Sequence, residues 1–292
     1  MRRDEGDFRS LTPYEARPPA GSVPLVATEH ELRPRGVGEV LDLALDVFRS
    51  RFGVLVGTAT LFWIPVRLAQ PLLGAPNWVR PGTTDIPLAA LAGVFFTLLA
   101  TLVVSVLVNA FAALHVAAEL EGRPLSARDA LRGILSRSMA VLAIAMLGGL
   151  ATGVATVCLC IPGIFLFWKF YLAPAVCVVE GAAVSQSVSR SFELCRGRFL
   201  PWVGLILISV AITFPLTSVS SIADDPNLRD RALQTLGVSS AVFDWFAVAF
   251  TSVFTGVASA FHGVVVTVWY FDCRARRDGV DLSARLERLQ AT

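Results

Sequence analysis

Three histidines, His30, His115 and His262, are the only imidazoles in this 292-residue sequence, so acid–base or metal chemistry at neutral pH would have to be built around them. Glu119 and Glu121 follow His115 closely, and with His262 they form the one nearby set of imidazoles and carboxylates that an intramembrane lipid enzyme would need clustered at one depth. That reading requires His115 and His262 to meet. The five cysteines give a lone Cys158-x-Cys160 and no Cys-x₂-Cys spacing, which reads as small apolar side chains and not as a zinc site or disulfide framework. Gly-rich phosphate loops, His-Glu-x-x-His and Gly-x-Ser-x-Gly do not occur. The sequence therefore predicts a protein that is not an enzyme, with no catalytic residues, no metal and no cofactor.

The elements that carry these residues are set by composition. Hydrophobic residues make up 54% of the chain and charged ones 16%, and mean hydropathy is +0.64. Soluble domains lie near ~45–50% and ~25%. Stretches 52–66, 86–118, 138–168, 199–223 and 245–271 hold no charge at all. A bilayer crossing needs about 20 apolar residues. The expected fold class is all-α: a polytopic membrane bundle of six transmembrane helices.

The segment 138–180 decides the count. It can be one kinked helix and a half-helix, or two helices, about 139–160 and 163–180, turning at Pro162-Gly163. Six crossings place 20 basic residues on one side against Arg80, Arg229 and Arg231 on the other, whereas five divide the same loops 14 to 9. The positive-inside rule selects six, with both termini cytoplasmic, in a bacterial cytoplasmic (inner) membrane. All basic residues but Lys169 are arginines, as a high-GC bacterial genome would produce. The expected organisation is a disordered Pro-rich tail over 1–35, a membrane domain over 36–273 and a short basic amphipathic tail over 274–292. The 1–35 segment has no apolar run resembling a signal peptide.

Three segments, 37–50, 126–139 and 184–199, each place an apolar stripe opposite charges just before a crossing. They predict three amphipathic interfacial helices preceding helix pairs. In the second, Ser126 and Asp129 have capping-box spacing. In the third, Val184, Val188, Phe192, Cys195 and Phe199 form the apolar face.

Polar residues inside the spans are few. Lys169 is expected to snorkel to the outer interface beside Trp168 and Tyr171. Glu180, Asp244 and Asp272 fall at helix ends where hydration is the default, and Asn109, His115 and His262 are expected to hydrogen-bond neighbouring helices. Gly149 with Gly153, and Ser252 with Gly256 and Ala260, have the four-residue spacing of close helix packing. Asp272 opposes the helix macrodipole and needs an arginine. The candidates are Arg274 and Arg276 in its own segment, or Arg190 and Arg196 on the third amphipathic helix, which Asp272 would tie to the C-terminal segment.

Four stretches carry a family likeness: Arg35-Gly36-Val37-Gly38-Glu39-Val40-Leu41-Asp42; Ile161-Pro162-Gly163-Ile164; Arg190-Ser191-Phe192-Glu193-Leu194 with Gly197; and Tyr270 to Leu282. Their order resembles the bacterial membrane-domain family named after glycerophosphoryl diester phosphodiesterase. The resemblance covers about 35–290 and implies a helical inner-membrane module. The phosphodiesterase domain sometimes fused to that family starts with His-Arg-Gly. No histidine here precedes Arg-Gly, so the activity is not implied for this chain.

The functional expectation is an uncharacterised non-enzymatic module with an accessory or scaffold role. It would work through membrane-protein partners, a second copy of itself, or anionic headgroups at the cytoplasmic face, and not through nucleic acid. Its rivals are a transporter or channel subunit for a small or lipid-like solute, lined by Ser and Thr, and the intramembrane lipid enzyme above. The arginine asymmetry yields a first test. Reporter fusions after residue 80 and within 226–238 should report the periplasm, and fusions after 122, 187 and 280 the cytoplasm. A cytoplasmic signal from 226–238 would remove the six-helix count.

Overall fold

The computed structural model describes residues 35–70, 88–120, 125–223, 225–237 and 239–278. They form helices α1 (Val37–Ser50), α2 (Phe52–Ala69), α3 (Leu88–Leu120), α4 (Ala127–Cys158), α5 (Cys160–Phe170), α6 (Ala173–Val179), α7 (Val184–Leu194), α8 (Phe199–Ile222), α9 (Pro226–Leu236) and α10 (Ser240–Asp278), with no strand among the described residues. Six segments are long and apolar enough to cross a membrane: α2, Ala92–Leu120 of α3, α4, Cys160–Val179 of α5 and α6, α8, and α10. The expected tails, apart from Arg35 and residues 274–278, lie outside the described residues, as do Arg80, Glu121 and His30. The membrane helix α10 continues to Asp278, past the expected boundary at 273.

α10 is the centre of the bundle. Between Ala258 and Ala275 most of its side chains are buried, including Trp269 and Tyr270. Small residues allow the neighbours in. A Cβ on Gly256 would lie 2.6 Å from Thr60 Oγ1 of α2, and one on Gly263 would lie 2.7 Å from Ala112 Cβ of α3. The Ser252, Gly256 and Ala260 spacing thus serves packing within the chain. Gly149 and Gly153 face outward, with no atom near their missing Cβ. In lipid the surroundings are as apolar as the helices, so close packing and polar pairing hold such a bundle.

The turn between the fourth and fifth helices comes three residues before its expected place. Leu159 alone is extended (φ −158°, ψ 124°), and it joins α4 directly to α5. Pro162 sits in the first turn of α5, where a missing N–H costs nothing. Gly163 lets the helices touch, since its Cβ would overlap Thr156.

The three amphipathic segments also diverge. α1 and α7 are separate helices. The second segment is continuous with its crossing as the first turns of α4, which at 1.5 Å per residue is about 48 Å long and overshoots a ~30 Å hydrocarbon layer. Ser126 caps it as expected, its Oγ accepting the Asp129 N–H at 3.2 Å. No helix breaker separates Met139 from the crossing, so the backbone continues.

Arg35 and Asp272 meet (below), so the described chain ends share one end of the bundle, called here the basic end. The α4–α5 turn lies at the other. Cys158 and Cys160 flank it and are exposed, whereas Cys177, Cys195 and Cys273 are buried. Burial also pushes the Cys195 thiol up to about 11, against the opposing pull of Lys169 and the Ser191 hydrogen bond. At pH 8 it stays protonated and unreactive. A membrane-impermeant maleimide applied at pH 8 to the face opposite the basic end should therefore label Cys158 and Cys160. Cys177, Cys195 and Cys273 should react only after denaturation.

Candidate functional site: a buried carboxylate and its arginines

Asp272 is 1% exposed. An ionised carboxylate so placed requires donors on every side. The Arg35 backbone N–H donates to its Oδ1 at 2.6 Å, and Arg198 Nη2 donates to Oδ2 at 2.7 Å. Arg276 Nε, one turn along α10, lies 3.3 and 3.2 Å from the two oxygens. Arg276 Nη2 also donates to the Arg35 carbonyl at 2.5 Å. One carboxylate thus closes together the approach to α1, the approach to α8 and the end of α10. The Arg198 guanidinium rests on the Trp269 ring, 4.5 Å from its centroid, which suits its flat, weakly hydrated cation.

The expectation that Asp272 needs arginines is met by different residues in part. Arg276 pairs with it and Arg274 does not: Arg274 Nε is 3.6 Å from Asp278. Arg190 and Arg196 are not its partners either. Arg190 holds Asp278 at 2.5 Å and reaches Glu180 at 3.7 Å and Glu193 at 3.5 Å, while Arg196 is exposed. The reason is the end of α7. Gly197 has φ +76°, a left-handed turn that suits glycine, and the chain then enters α8 with Arg198 beside α10. Arg198 is the last charge before an uncharged run, which was its signal in the sequence. Burial pulls the Arg190 guanidinium down, but its bond to Asp278 and the charges of Asp278 and Glu180 outweigh this and hold it above its ordinary value.

The other helix-end carboxylates remain partly exposed to water but also find partners. Glu180 accepts the Tyr270 hydroxyl at 2.7 Å. Asp244 pairs with Arg229 at 3.0 Å. Glu119, on α3, pairs with Arg51 at 2.7 Å. Each is joined to another helix.

Lys169 does not turn to the outer interface. Its Nζ donates to the Phe192 carbonyl of α7 at 3.3 Å and lies 4.3 Å from the Trp168 ring centroid. The cause is a break in this crossing. Pro174 has no N–H for the Phe170 carbonyl and α5 ends there, so the carbonyls of its last turn are open to donors from outside the helix. α7 supplies donors: Ser191 Oγ to the Lys169 carbonyl at 2.6 Å and Cys195 Sγ to that of Trp168 at 3.3 Å. Lys169 in return sits at the C-terminal ends of both α5 and α7, where a cation is favoured. The face of α7 that packs inward is therefore Ser187, Ser191, Leu194 and Cys195. Val184, Val188 and Phe192 are only half-buried and Phe199 is exposed. Hydrophobic patterning alone does not reveal a serine whose task is to cap a carbonyl.

The deeper polar residues each have their own surroundings. His115 is buried and stacks on Phe111 (5.8 Å, 6°), and neither ring nitrogen has a hydrogen-bond partner. His262 instead meets Tyr171 edge-on at 5.9 Å. Asn109 lies against Gly263, its Oδ1 without a partner. The expected interhelical hydrogen bonds of His115 and of the Asn109 oxygen are thus replaced by tight ring and backbone packing. Among the described residues no three of His, Cys, Asp and Glu gather as a metal site.

Fold and site define a class: an all-α, multi-pass membrane bundle closed at one end by arginine–carboxylate pairs. No protein family, curated protein or solved structure matches the chain.

Asp272→Asn leaves Arg198 and Arg276 facing a neutral group. Breaking a buried pair from one side typically costs about 3–5 kcal/mol. The purified variant should melt well below wild type and lose protease protection of the segment after Arg274. Arg196→Gln should melt as wild type does.

Proposed function

We propose that the chain is a non-enzymatic module of a bacterial cytoplasmic membrane, with both termini cytoplasmic, acting through protein partners or lipids in an accessory or scaffold role. The observation behind this is the use of its acidic groups. Glu119, Glu180, Asp272 and Asp278 at the basic end are each bonded to side chains of another helix, so none is left as a poised base. The same use of charge suits a rigid platform that presents its outer faces. The resemblance to the membrane-domain family named after glycerophosphoryl diester phosphodiesterase agrees with such a module.

A second reading, a transporter or channel subunit for a small or lipid-like solute, draws on the break between α5 and α6. There the Tyr171 hydroxyl is buried and unpaired next to His262. Against it, the Thr213 and Thr251 hydroxyls donate to carbonyls of their own helices, at 2.9 and 2.7 Å, which occupies their protons.

Reconstituted protein should not hydrolyse glycerophosphodiesters, with or without divalent metals. It should also not accelerate solute release from liposomes. Crosslinkers placed along its outer faces should capture one membrane partner, or a second copy, in cells. Turnover abolished by His115→Ala or His262→Ala would overturn the proposal.

A further inference from the structure

α4 has two faces. Ala130, Ile134, Val141, Ile144 and Gly148 are buried against the bundle. At 100° per residue, Arg128, Arg132, Leu135, Met139, Met146, Leu150 and Val157 all fall within a ~60°-wide stripe on the opposite side. Every one of them is exposed, Met139 to 80% and Val157 to 89%. The stripe begins with two guanidinium groups one turn apart and continues as an unbroken apolar track toward the other end of the helix.

Among the described residues the two arginines also have no partner. Asp129 lies between them in sequence, but its carboxylate accepts the Ser126 hydroxyl at 2.6 Å and its N–H completes the cap. Among the described residues neither Arg128 nor Arg132 makes an ion pair, hydrogen bond or ring contact. Several arginines at the same end are occupied, Arg51 with Glu119, Arg198 and Arg276 with Asp272, and Arg274 with Asp278, while Arg196 and Arg277 are exposed but do not head an apolar stripe. Among the described helices, α4 joins a pair of unpartnered guanidiniums to a continuous outward apolar track.

We infer that this stripe is a binding site for one anionic phospholipid, its phosphate held between Arg128 and Arg132 and an acyl chain lying along Leu135, Met139 and Met146. Paired guanidiniums fit phosphate oxygens, and one turn of helix, about 5.4 Å, is a spacing that two such groups can close on a single phosphate. Methionine, flexible and unbranched, adapts to a mobile chain. The inference rests on the reading that the protein acts through lipids or partners and gives the lipid a place.

The test uses the full chain in nanodiscs of phosphatidylcholine with a minor share of phosphatidylglycerol. Bound lipid is counted by native mass spectrometry after ejection. Wild type should retain phosphatidylglycerol, and Arg128→Gln/Arg132→Gln should retain about thirtyfold less, in line with the attraction of two interfacial arginines. Arg196→Gln/Arg277→Gln removes the same charge from exposed positions at the same end and should retain it as wild type does. The single variants serve if the double variant does not insert, each losing part of the retention. Retention unchanged in the arginine variants, or lost equally in the control pair, would overturn the site. Glycerol phosphate, a headgroup without chains, should not raise the melting temperature in detergent; a rise that Arg128→Gln/Arg132→Gln abolishes would mean a soluble phosphate ligand and overturn the lipid assignment. Captured membrane partners with no selective lipid retention would defeat this inference and leave the scaffold reading standing.

Discussion

A carboxylate that water cannot reach must be solvated by the protein, and Asp272 imposes that requirement on three parts of the chain. It takes a backbone N–H from Arg35, a guanidinium from Arg198 and another from Arg276. The start of α1, the start of α8 and the end of α10 can satisfy it only together, which sets the closure of the basic end. Around it, Arg190 gathers Glu180 and Asp278, and Arg51 holds Glu119. Charge at this end works as internal cross-bracing.

The same rule, that polar groups in an apolar medium must be satisfied, explains the fourth crossing. Its helix breaks before Pro174, and the Lys169 and Trp168 carbonyls of its last turn accept from Ser191 and Cys195 of α7. Lys169 returns the favour at the end of α7. A broken membrane helix is tolerated because a second short helix packs against the break. This binds α7 to the bundle through polar atoms, and it accounts for serines at zero exposure on its inner face.

The three amphipathic segments, similar in pattern, have thus become three different structures. α1 packs its apolar stripe on α10 as its sequence implies. α7 turns small polar residues inward. The second pattern, at 126–139, has no breaker and extends into α4, leaving Arg128 and Arg132 on an outer face that the rest of the described bundle does not cover.

Hydropathy and arginine placement by themselves determined the class, the six crossings and the approximate limits of each. The energy of moving charge out of water is large, local and legible one residue at a time. The capping of α4 by Ser126 and the need of Asp272 for arginines were legible for the same reason. Which arginine answers Asp272 was not. Arg190, Arg196 and Arg198 are alike in type and lie within nine residues of one another, and only the left-handed turn at Gly197 brings Arg198 to α10. The direction of Lys169 likewise depended on a helix break and on a neighbour that is distant in sequence. Composition determines what must be buried or exposed; the identity of each partner is decided by the path of the backbone, because pairing depends on distance and distance is a property of the fold.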